Sequence, residues 1–200
     1  MMDLDLPGMD VSRETRERLL AYVELLRKWT KRINLIAPST AGDVWQRHIL
    51  DSAQLATLHQ GGRTWGDLGS GGGLPGLVVA ILQPGCRVTL VESDARKCAF
   101  LQTARRELGL SVEILSCRIE DLAPLGADVV SARALAPLTD LIGFAALHLA
   151  PDGIALFPKG RQAAAEIAAA RASWDFALTE FPSMTDPEAR ILKIERPRRV

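Results

Sequence analysis

Hydrophobic positions before residue 64 follow a helical period, which predicts helices ahead of any strand. The apolar positions of the first helix are Leu19, Tyr22, Val23, Leu26, Trp29 and Ile33. Their spacing of three and four residues predicts a helix over residues 12–33, with Ser12 as its N-cap. A second helix is predicted over residues 43–58, ended by Gly61-Gly62. Residues 1–63 are therefore expected to form a helical extension.

From residue 64 onward, short apolar runs alternate with helical patterns. Strands are predicted over 64–68, 87–92, 112–115, 128–131 and 154–157, and helices over 75–82, 95–108, 138–149 and 161–173. Two further strand-like runs, 176–181 and 191–195, are joined by a polar loop without a helix. Repeated alternation of strand and helix predicts a mostly parallel sheet with helices on both faces.

The expected fold is thus α/β and Rossmann-like, with a seven-stranded sheet. The last two runs can pair only antiparallel, so they are expected to close the sheet as a C-terminal hairpin. No linker rich in Gly, Ser or Pro interrupts residues 64–200, which we expect to form one compact domain.

Composition excludes several classes of protein. Lys and Arg number 24, as do Asp and Glu, so the formal net charge is zero and a uniformly basic nucleic-acid binder is excluded. The three cysteines lack metal-binding or disulfide spacing, which indicates reduced thiols and no metal centre. No run approaches 18 uninterrupted apolar residues. We therefore expect a cytoplasmic protein that acts without a membrane.

Basic residues nevertheless cluster near the two ends of the chain. The clusters comprise Arg27, Lys28, Lys31 and Arg32, and Arg190, Lys193, Arg196, Arg198 and Arg199. Two interpretations stay open. The clusters are either solvated faces, as charge runs usually are, or two ends that fold together to hold an anionic partner.

A glycine-rich segment over residues 65–76 follows the first predicted strand. At this strand-to-helix turn a doubly wound sheet opens a crevice in which ligands bind. Glycine permits positive φ and lets a ligand contact the main chain without an intervening Cβ. Gly69, Gly71 and Gly73 are therefore candidate binding residues.

Glu92 ends the next strand, 23 residues after Gly69. A carboxylate there can accept hydrogen bonds from both hydroxyls of a ribose, each worth about 1.5–3 kcal/mol. Loop and carboxylate together indicate a nucleoside site, whereas the alternative is a tight turn with a solvated Glu.

The spacing of the glycines distinguishes between nucleoside cofactors. Residues 71–76 formally match G-x-G-x-x-G, so NAD has to be considered. Counted from Gly69, however, Leu74 falls where the third dinucleotide glycine would stand, and Asp67 would repel a pyrophosphate. A phosphate-free cation, S-adenosyl-L-methionine (AdoMet), fits this segment better.

Seven motifs occur in an order that resembles a known family. They are I-N-L-I (33–36), R-H-I-L-D-S (47–52), D-L-G-S-G-G-G-L-P-G (67–76), E-S-D-A-R-K-C-A-F-L (92–101), C-R-I-E-D-L (117–122), S-A-R-A-L-A (131–136) and P-K-G (158–160). Over about residues 12–195 the chain resembles the RsmG family, also called glucose-inhibited division protein B. The resemblance implies a class I methyltransferase that transfers a methyl group from AdoMet to N7 of guanine 527, in the 530 loop of 16S rRNA.

The resemblance also implies positions for the cofactor. In that family the contacts would fall on Gly69, Leu74, Ile119, Glu120 and Arg133 of this chain. The chain departs from the family pattern at residues 36–37 and at Pro158. These differences are expected to change the local shape of the loops and not the assignment to the family.

Methylation of guanine N7 places few chemical demands on the protein. N7 has a free lone pair in the neutral base, so catalysis is mostly positioning, which can contribute about 7–11 kcal/mol. Arg133 and Lys159 are the candidate positioning residues, each at the end of a strand. Their plain alternatives are a structural ion pair for Arg133 and a solvated lysine for Lys159. His48 is expected to be a hydrogen-bonded helix-packing residue near the cofactor entrance.

Zero net charge favours a substrate other than naked RNA. We expect 16S rRNA within the small ribosomal subunit or an assembly intermediate, bound by a monomer. A small-molecule AdoMet-dependent methyltransferase and a non-catalytic nucleotide-binding Rossmann module stay open as alternatives.

Overall fold

The N-terminal part of the chain is helical, as its periodicity predicts. A computed structural model describes residues 6, 8–59, 61 and 63–200. Helix α1 (Arg13–Thr30) begins at Ser12, whose side chain accepts a hydrogen bond from the Thr15 amide at 3.1 Å. The predicted N-cap is thereby confirmed.

The second predicted helix is built from three consecutive pieces. A 3₁₀ turn (Pro38–Asp43), which the sequence did not indicate, leads into a π-helical segment (Trp45–Leu50) that continues as α2 (Asp51–Leu58). The prediction that Gly61-Gly62 ends the helix involves Gly62, which lies outside the described residues.

The remaining elements alternate as predicted, with small differences in their bounds. In chain order they are β1 (Thr64–Leu68), α3 (Gly76–Leu82), β2 (Arg87–Val91), α4 (Ala95–Glu107), β3 (Val112–Leu115), a 3₁₀ turn (Ile119–Asp121), β4 (Ala127–Ser131), α5 (Leu138–His148), β5 (Leu149–Lys159), α6 (Ala163–Arg171), β6 (Trp174–Pro182) and β7 (Arg190–Arg199). β5 and β7 are longer than their apolar cores because each pairs along most of its length with the other.

The sheet has the order β3-β2-β1-β4-β5-β7-β6. The first five strands are parallel, and β7 pairs antiparallel with both β5 and β6. The predicted α/β fold and C-terminal hairpin are therefore confirmed. The chain runs outward from β1 to β3 and then crosses back to β4, so the strand order reverses between β1 and β4, where α/β sheets bind their ligands.

Helices cover both faces of this sheet. One buried cluster joins the apolar faces of α1 and α2 to α3 and α4, and includes Leu19, Leu26 and Leu77. The other lies under α5 and includes Leu141 and Phe157. Since α1 and α2 share a core with α3, the N-terminal extension is packed on the sheet domain, close to the first strand-to-helix turn.

The C-terminal basic cluster is spread along β7. Arg190 pairs in register with Lys159 at the carboxyl end of β5, whereas Arg199 pairs with Trp174 at the opposite end. At about 3.3 Å per residue these two arginines are about 30 Å apart. The C-terminal cluster therefore does not form one compact patch, and the hypothesis that the two ends together hold an anionic partner stays a prediction.

The part of the chain that the structure describes has no candidate for a membrane-spanning helix. No helix there combines the length and the apolar character needed to cross a bilayer.

Candidate functional site

The glycine loop lies where the carboxyl ends of β1, β2 and β4 meet. Gly69 and Gly71 have φ of 64° and 56°, in the left-handed region that favours glycine. A Cβ on Gly69 would lie 2.5 Å from Leu135 Cδ1, so the β4–α5 loop packs directly on this backbone. At Gly71 the nearest atom to a Cβ would be the Gly69 carbonyl oxygen at 3.8 Å, so the backbone here is open to a ligand.

Glu92 holds this loop from the neighbouring strand. Its side chain is buried, and its two carboxylate oxygens accept hydrogen bonds from the amides of Gly71 at 2.9 Å and Asp94 at 2.8 Å. The 23-residue spacing therefore brings loop and carboxylate together, as the sequence indicates. A carboxylate offers about four acceptor positions, so Glu92 keeps capacity for further donors.

A second carboxylate, Asp67, lies fully buried beneath the loop. One oxygen accepts from the Gly76 amide at 3.0 Å and the other from the Ser131 hydroxyl at 2.8 Å. Ser131 in turn accepts from the Trp65 indole at 2.8 Å. Burial is the main influence on the Asp67 carboxyl and raises its pKa to about 6, despite the hydrogen bonds that favour the ionised form.

Asp67 also determines which ligands this turn can accept. Dinucleotide-binding folds place the pyrophosphate against unpaired amides at the helix N-terminus. Here the Gly76 amide at the start of α3 bonds to Asp67, and the Leu77 amide donates to the Gly73 carbonyl at 2.8 Å. The sequence indicated repulsion of a pyrophosphate by Asp67, and the structure adds that the helix amides are already occupied.

One cavity, of about 990 Å³, opens on the Glu92 side of the loop. Its wall includes the apolar side chains of Val91 and Leu135 and the 3₁₀ turn that carries Ile119 and Glu120. The predicted site residues Gly69, Glu92, Ile119 and Glu120 thus lie around one space.

A second cavity, of about 590 Å³, lies between the N-terminal extension and the carboxyl edge of the sheet. Gly69, Gly71, Leu74, Arg133 and Lys159 all line it. The first space is called the β2-side cavity below, and this one the extension-side cavity.

Gly73 is placed differently from the other candidate glycines. It is buried behind the loop, where a Cβ would collide with the Leu77 side chain, and it lies outside the linings of both cavities. The structure therefore gives Gly73 a packing role, and the expected direct contact with a ligand has no geometric support.

Arg133 forms an ion pair that ties β4 to the extension. Its guanidinium donates to Asp51 Oδ2 at 3.1 Å, to the Arg47 carbonyl oxygen at 3.4 Å and to His48 Nδ1 at 3.0 Å. These bonds involve three of its five N–H donors, and its side chain, 18% exposed, still lines the extension-side cavity.

His48 is a buried, hydrogen-bonded residue of the extension, as the sequence predicts, and it lines the extension-side cavity. Nδ1 faces the Arg133 guanidinium and Nε2 lies 2.8 Å from Thr40 Oγ1. Burial first, and then the positive charge of Arg133, lower its pKa to about 4. The ring is thus neutral near pH 7, accepts from Arg133 and donates to Thr40. The spacing of His48 and Asp51, which places both on one helix face, was the available signal.

Lys159 is buried by its partners, and the alternative of a solvated lysine is wrong. Its amino group donates to the Ala136 carbonyl oxygen at 2.9 Å and to Glu166 Oε2 at 2.7 Å, and its side chain is 10% exposed. Glu166 also accepts from the Leu138 amide at 2.8 Å, at the start of α5. Lys159 therefore fixes the loop between β4 and α5, whose Ala134 lines both cavities.

Metal coordination has no candidate cluster in the described ranges, 6, 8–59, 61 and 63–200. No three side chains of His, Cys, Asp or Glu there lie close enough together to hold an ion.

Comparison with known proteins places this geometry in context. Residues 15–192 match the GidB family, described as rRNA small subunit methyltransferase G. A ribosomal RNA small subunit methyltransferase G from Cereibacter sphaeroides (strain ATCC 17029 / ATH 2.4.9) is 56% identical over 200 residues, which cover 98% of this chain and 97% of the relative. The protein of the same name from Ruegeria sp. (strain TM1040) is 52% identical over 196 residues, covering 96% of each chain.

Solved structures with low identity share the fold. The mitomycin 7-O-methyltransferase MmcR has a TM-score of 0.61 at 17% identity, covering 92% of this chain and 69% of its own. M. jannaschii TYW2 in complex with AdoMet has a TM-score of 0.54 at 12% identity, covering 76% of each chain. The fold is thus that of the Rossmann-like methyltransferases.

The buried carboxyl of Asp67 predicts a pH dependence of stability. The native state keeps a proton on Asp67 up to about pH 6, whereas the unfolded chain releases it near 3.8. Between these values the native state binds more protons, so this group's contribution to stability falls as pH rises and stays low above pH 6. Asp67→Asn removes the titration. The stability of the variant relative to wild type should therefore rise by up to about 3 kcal/mol across this window.

Urea unfolding of both proteins between pH 4 and 7 measures this difference. His48 acts in the opposite direction, since its native pKa of about 4 lies below the ordinary value of 6.5. Its contribution is common to both proteins and cancels. An Asp140→Asn variant, at an exposed position of α5, controls for the loss of one negative charge. A difference between wild type and Asp67→Asn that stays constant with pH would contradict the prediction.

Proposed function

Since this chain belongs to the GidB family, rRNA small subunit methyltransferase G, we propose that it methylates N7 of guanine 527 in the 530 loop of 16S rRNA. Methylation of rRNA is the activity that its relatives' names state, and the atom and position are the proposal. AdoMet is the proposed methyl donor, in line with the structure of M. jannaschii TYW2, which shares the fold and is in complex with AdoMet.

We propose N7 as the acceptor atom because the acidic and basic side chains in the extension-side cavity are bonded to one another. His48 bonds through both ring nitrogens, Asp51 pairs with Arg133, and Glu166 pairs with Lys159. A general base must be free to accept a proton from the attacking group. Guanine N7 carries no proton in the neutral base, so a cavity whose acids and bases are engaged with one another suits this acceptor.

The chain's residues fit AdoMet better than a dinucleotide. When bound, AdoMet provides an electrophilic methyl group on a cationic sulfonium. Glu92 has free acceptor positions for the ribose hydroxyls, and Ile119 and Glu120 lie beside it in the β2-side cavity for the adenine. Gly71 presents an open backbone, and Asp67 occupies the amide that a pyrophosphate would need.

The extension-side cavity is the proposed place for the methionine portion and the target base. Leu74 and Arg133 lie in its wall next to the glycine loop. Lys159 holds the β4–α5 loop between the two cavities, so we assign it a positioning role for the base. Catalysis then consists of alignment and exclusion of water around two bound groups.

Three cations in the lining of this cavity suit an RNA backbone. Arg47 comes from the extension, Lys97 from α4 and Arg190 from the start of β7. Because the formal net charge is zero, attraction to RNA depends on this local group. Weak overall attraction to naked RNA favours rRNA within the small subunit or an assembly intermediate as the substrate. We propose that the protein acts on it as a cytoplasmic monomer.

Removing the Glu92 carboxylate should weaken AdoMet binding. Glu92→Gln loses one acceptor oxygen, and with it both a ribose contact and the hold on Gly71. We expect the Kd for AdoMet, measured by calorimetry, to rise on the order of 10–100-fold. Glu107→Gln, at the exposed end of α4, is the matched control and should bind as wild type does. An unchanged Kd in Glu92→Gln removes this residue from the site.

Neutralising the cations at the cavity mouth should weaken RNA binding in a salt-dependent way. For Lys97→Gln and Arg190→Gln, the slope of log K against log salt should flatten by about one unit per lost phosphate contact. Arg198→Gln, on the same strand as Arg190 but near its far end, should keep the wild-type slope. Equal slopes for Arg190→Gln and Arg198→Gln would refute the proposed path of the RNA.

Mapping of N7-methylguanosine tests the proposed reaction directly. Naked 16S rRNA and small ribosomal subunits lacking the modification are incubated with AdoMet, with and without the protein, and N7-methylated sites are located by reductive strand cleavage. We expect one new site, guanine 527, and a higher rate of methylation on the small subunit than on naked 16S rRNA. Methylation of another atom or another guanine refutes the proposal, and transfer to small molecules alone identifies a different methyltransferase.

A further inference from the structure

A contact between α1 and the glycine loop lies outside the residues that the sequence indicates. Tyr22, in the middle of α1, is fully buried, and its hydroxyl donates a hydrogen bond to the Gly72 carbonyl oxygen. Burial raises the pKa of this hydroxyl well above its ordinary value of 10, so it keeps its proton and stays a donor. Because 50 residues separate the partners, the bond exists only when the extension is docked.

The packing around Gly72 makes this contact a close one. A Cβ on Gly72 would lie 3.2 Å from Leu26 Cδ2 and 3.5 Å from Leu35 Cβ. Both α1 and the segment after it therefore contact the loop backbone. Gly72 and Leu35 also line the extension-side cavity, so the contact is at the site itself.

Tyr22 completes the set of bonds that orient this backbone. The Gly72 carbonyl shares a planar peptide unit with the Gly73 amide, which donates to the Ser70 carbonyl at 2.7 Å. Tyr22 and Ser70 thus fix this unit from two sides. The Gly71 amide, two peptide units earlier, is held by Glu92 at 2.9 Å. One peptide unit, Gly71–Gly72, therefore links the unit that Tyr22 holds to the unit that the Glu92 carboxylate holds.

We propose that Tyr22 is a positioning residue for the cofactor, and that cofactor binding is coupled through it to docking of the N-terminal extension. The inference rests on the proposed function, because it takes AdoMet as the ligand of the loop. Without the hydroxyl, the Gly72 carbonyl is buried and unpaired, and the loop turns away from its binding geometry. Coupling between two equilibria is reciprocal, so bound AdoMet must in turn stabilise the docked α1.

Tyr22→Phe tests this role because it removes the hydroxyl and keeps the ring. Thr30→Val is the matched control. It removes a hydroxyl from the last residue of the same helix, and that oxygen is buried without a hydrogen-bond partner among the described residues. We expect Tyr22→Phe to raise the Kd for AdoMet on the order of 10-fold, and Thr30→Val to leave it within about twofold. Melting temperatures without AdoMet report any purely structural loss, which would leave the Kd unchanged.

Hydrogen exchange adds a measurement on the wild type, which tests the coupling even if the variant does not fold. In the wild type, AdoMet should slow exchange of the α1 amides (Arg13–Thr30), and this slowing should disappear in Tyr22→Phe. If AdoMet leaves exchange in wild-type α1 unchanged, or if Tyr22→Phe binds AdoMet as wild type does, the inference is overturned while the proposed function stands. If the wild type binds no AdoMet at all, both are overturned.

Discussion

The structure depends on how the backbone of one glycine-rich turn is held in place. The turn exposes amides and carbonyls that have no partners within a helix or strand. Asp67 holds it from below through Gly76, Glu92 holds it from the next strand through Gly71, and Tyr22 holds it from the extension through Gly72. Side chains from β1, from the end of β2 and from α1 therefore converge on this turn, and the cavities on either side of the turn take their shape from it.

The two carboxylates also set the electrostatic character of the crevice. Asp67 is buried with its oxygens bonded, and Glu92 lies at the cavity wall with both oxygens facing amides. Negative charge at this turn disfavours phosphates and favours a neutral nucleoside or a cation. The proposed preference for a sulfonium cofactor thus follows from the side chains that stabilise the loop. One constraint, the need to pair buried amides, determines both the local fold and the class of ligand.

The ion pairs beside the crevice fix the position of a loop more than they stabilise the fold. Arg133 with Asp51 and Lys159 with Glu166 are largely removed from solvent, where desolvation offsets much of the Coulomb attraction. Both pairs nevertheless fix one short loop: Arg133 at its start binds the extension, and Lys159 binds its end at Ala136. This loop separates the two cavities. We infer that these pairs are kept for the position of the loop rather than for their net free energy.

The order and type of the elements are predictable from the sequence, which also indicates Gly69 and Glu92 as neighbours. Alternation of apolar runs encodes strands and helices locally, and the carboxyl ends of adjacent parallel strands must meet at one edge. Three features of the site come instead from the packing of the folded chain: Tyr22 contacts Gly72, His48 and Asp51 hold Arg133, and Gly73 packs behind the loop. The first two depend on how the extension docks on the sheet domain, and the third depends on how α3 and α4 pack against the loop. Both result from side-chain packing between distant segments, and packing of this kind has no periodic signature along the chain.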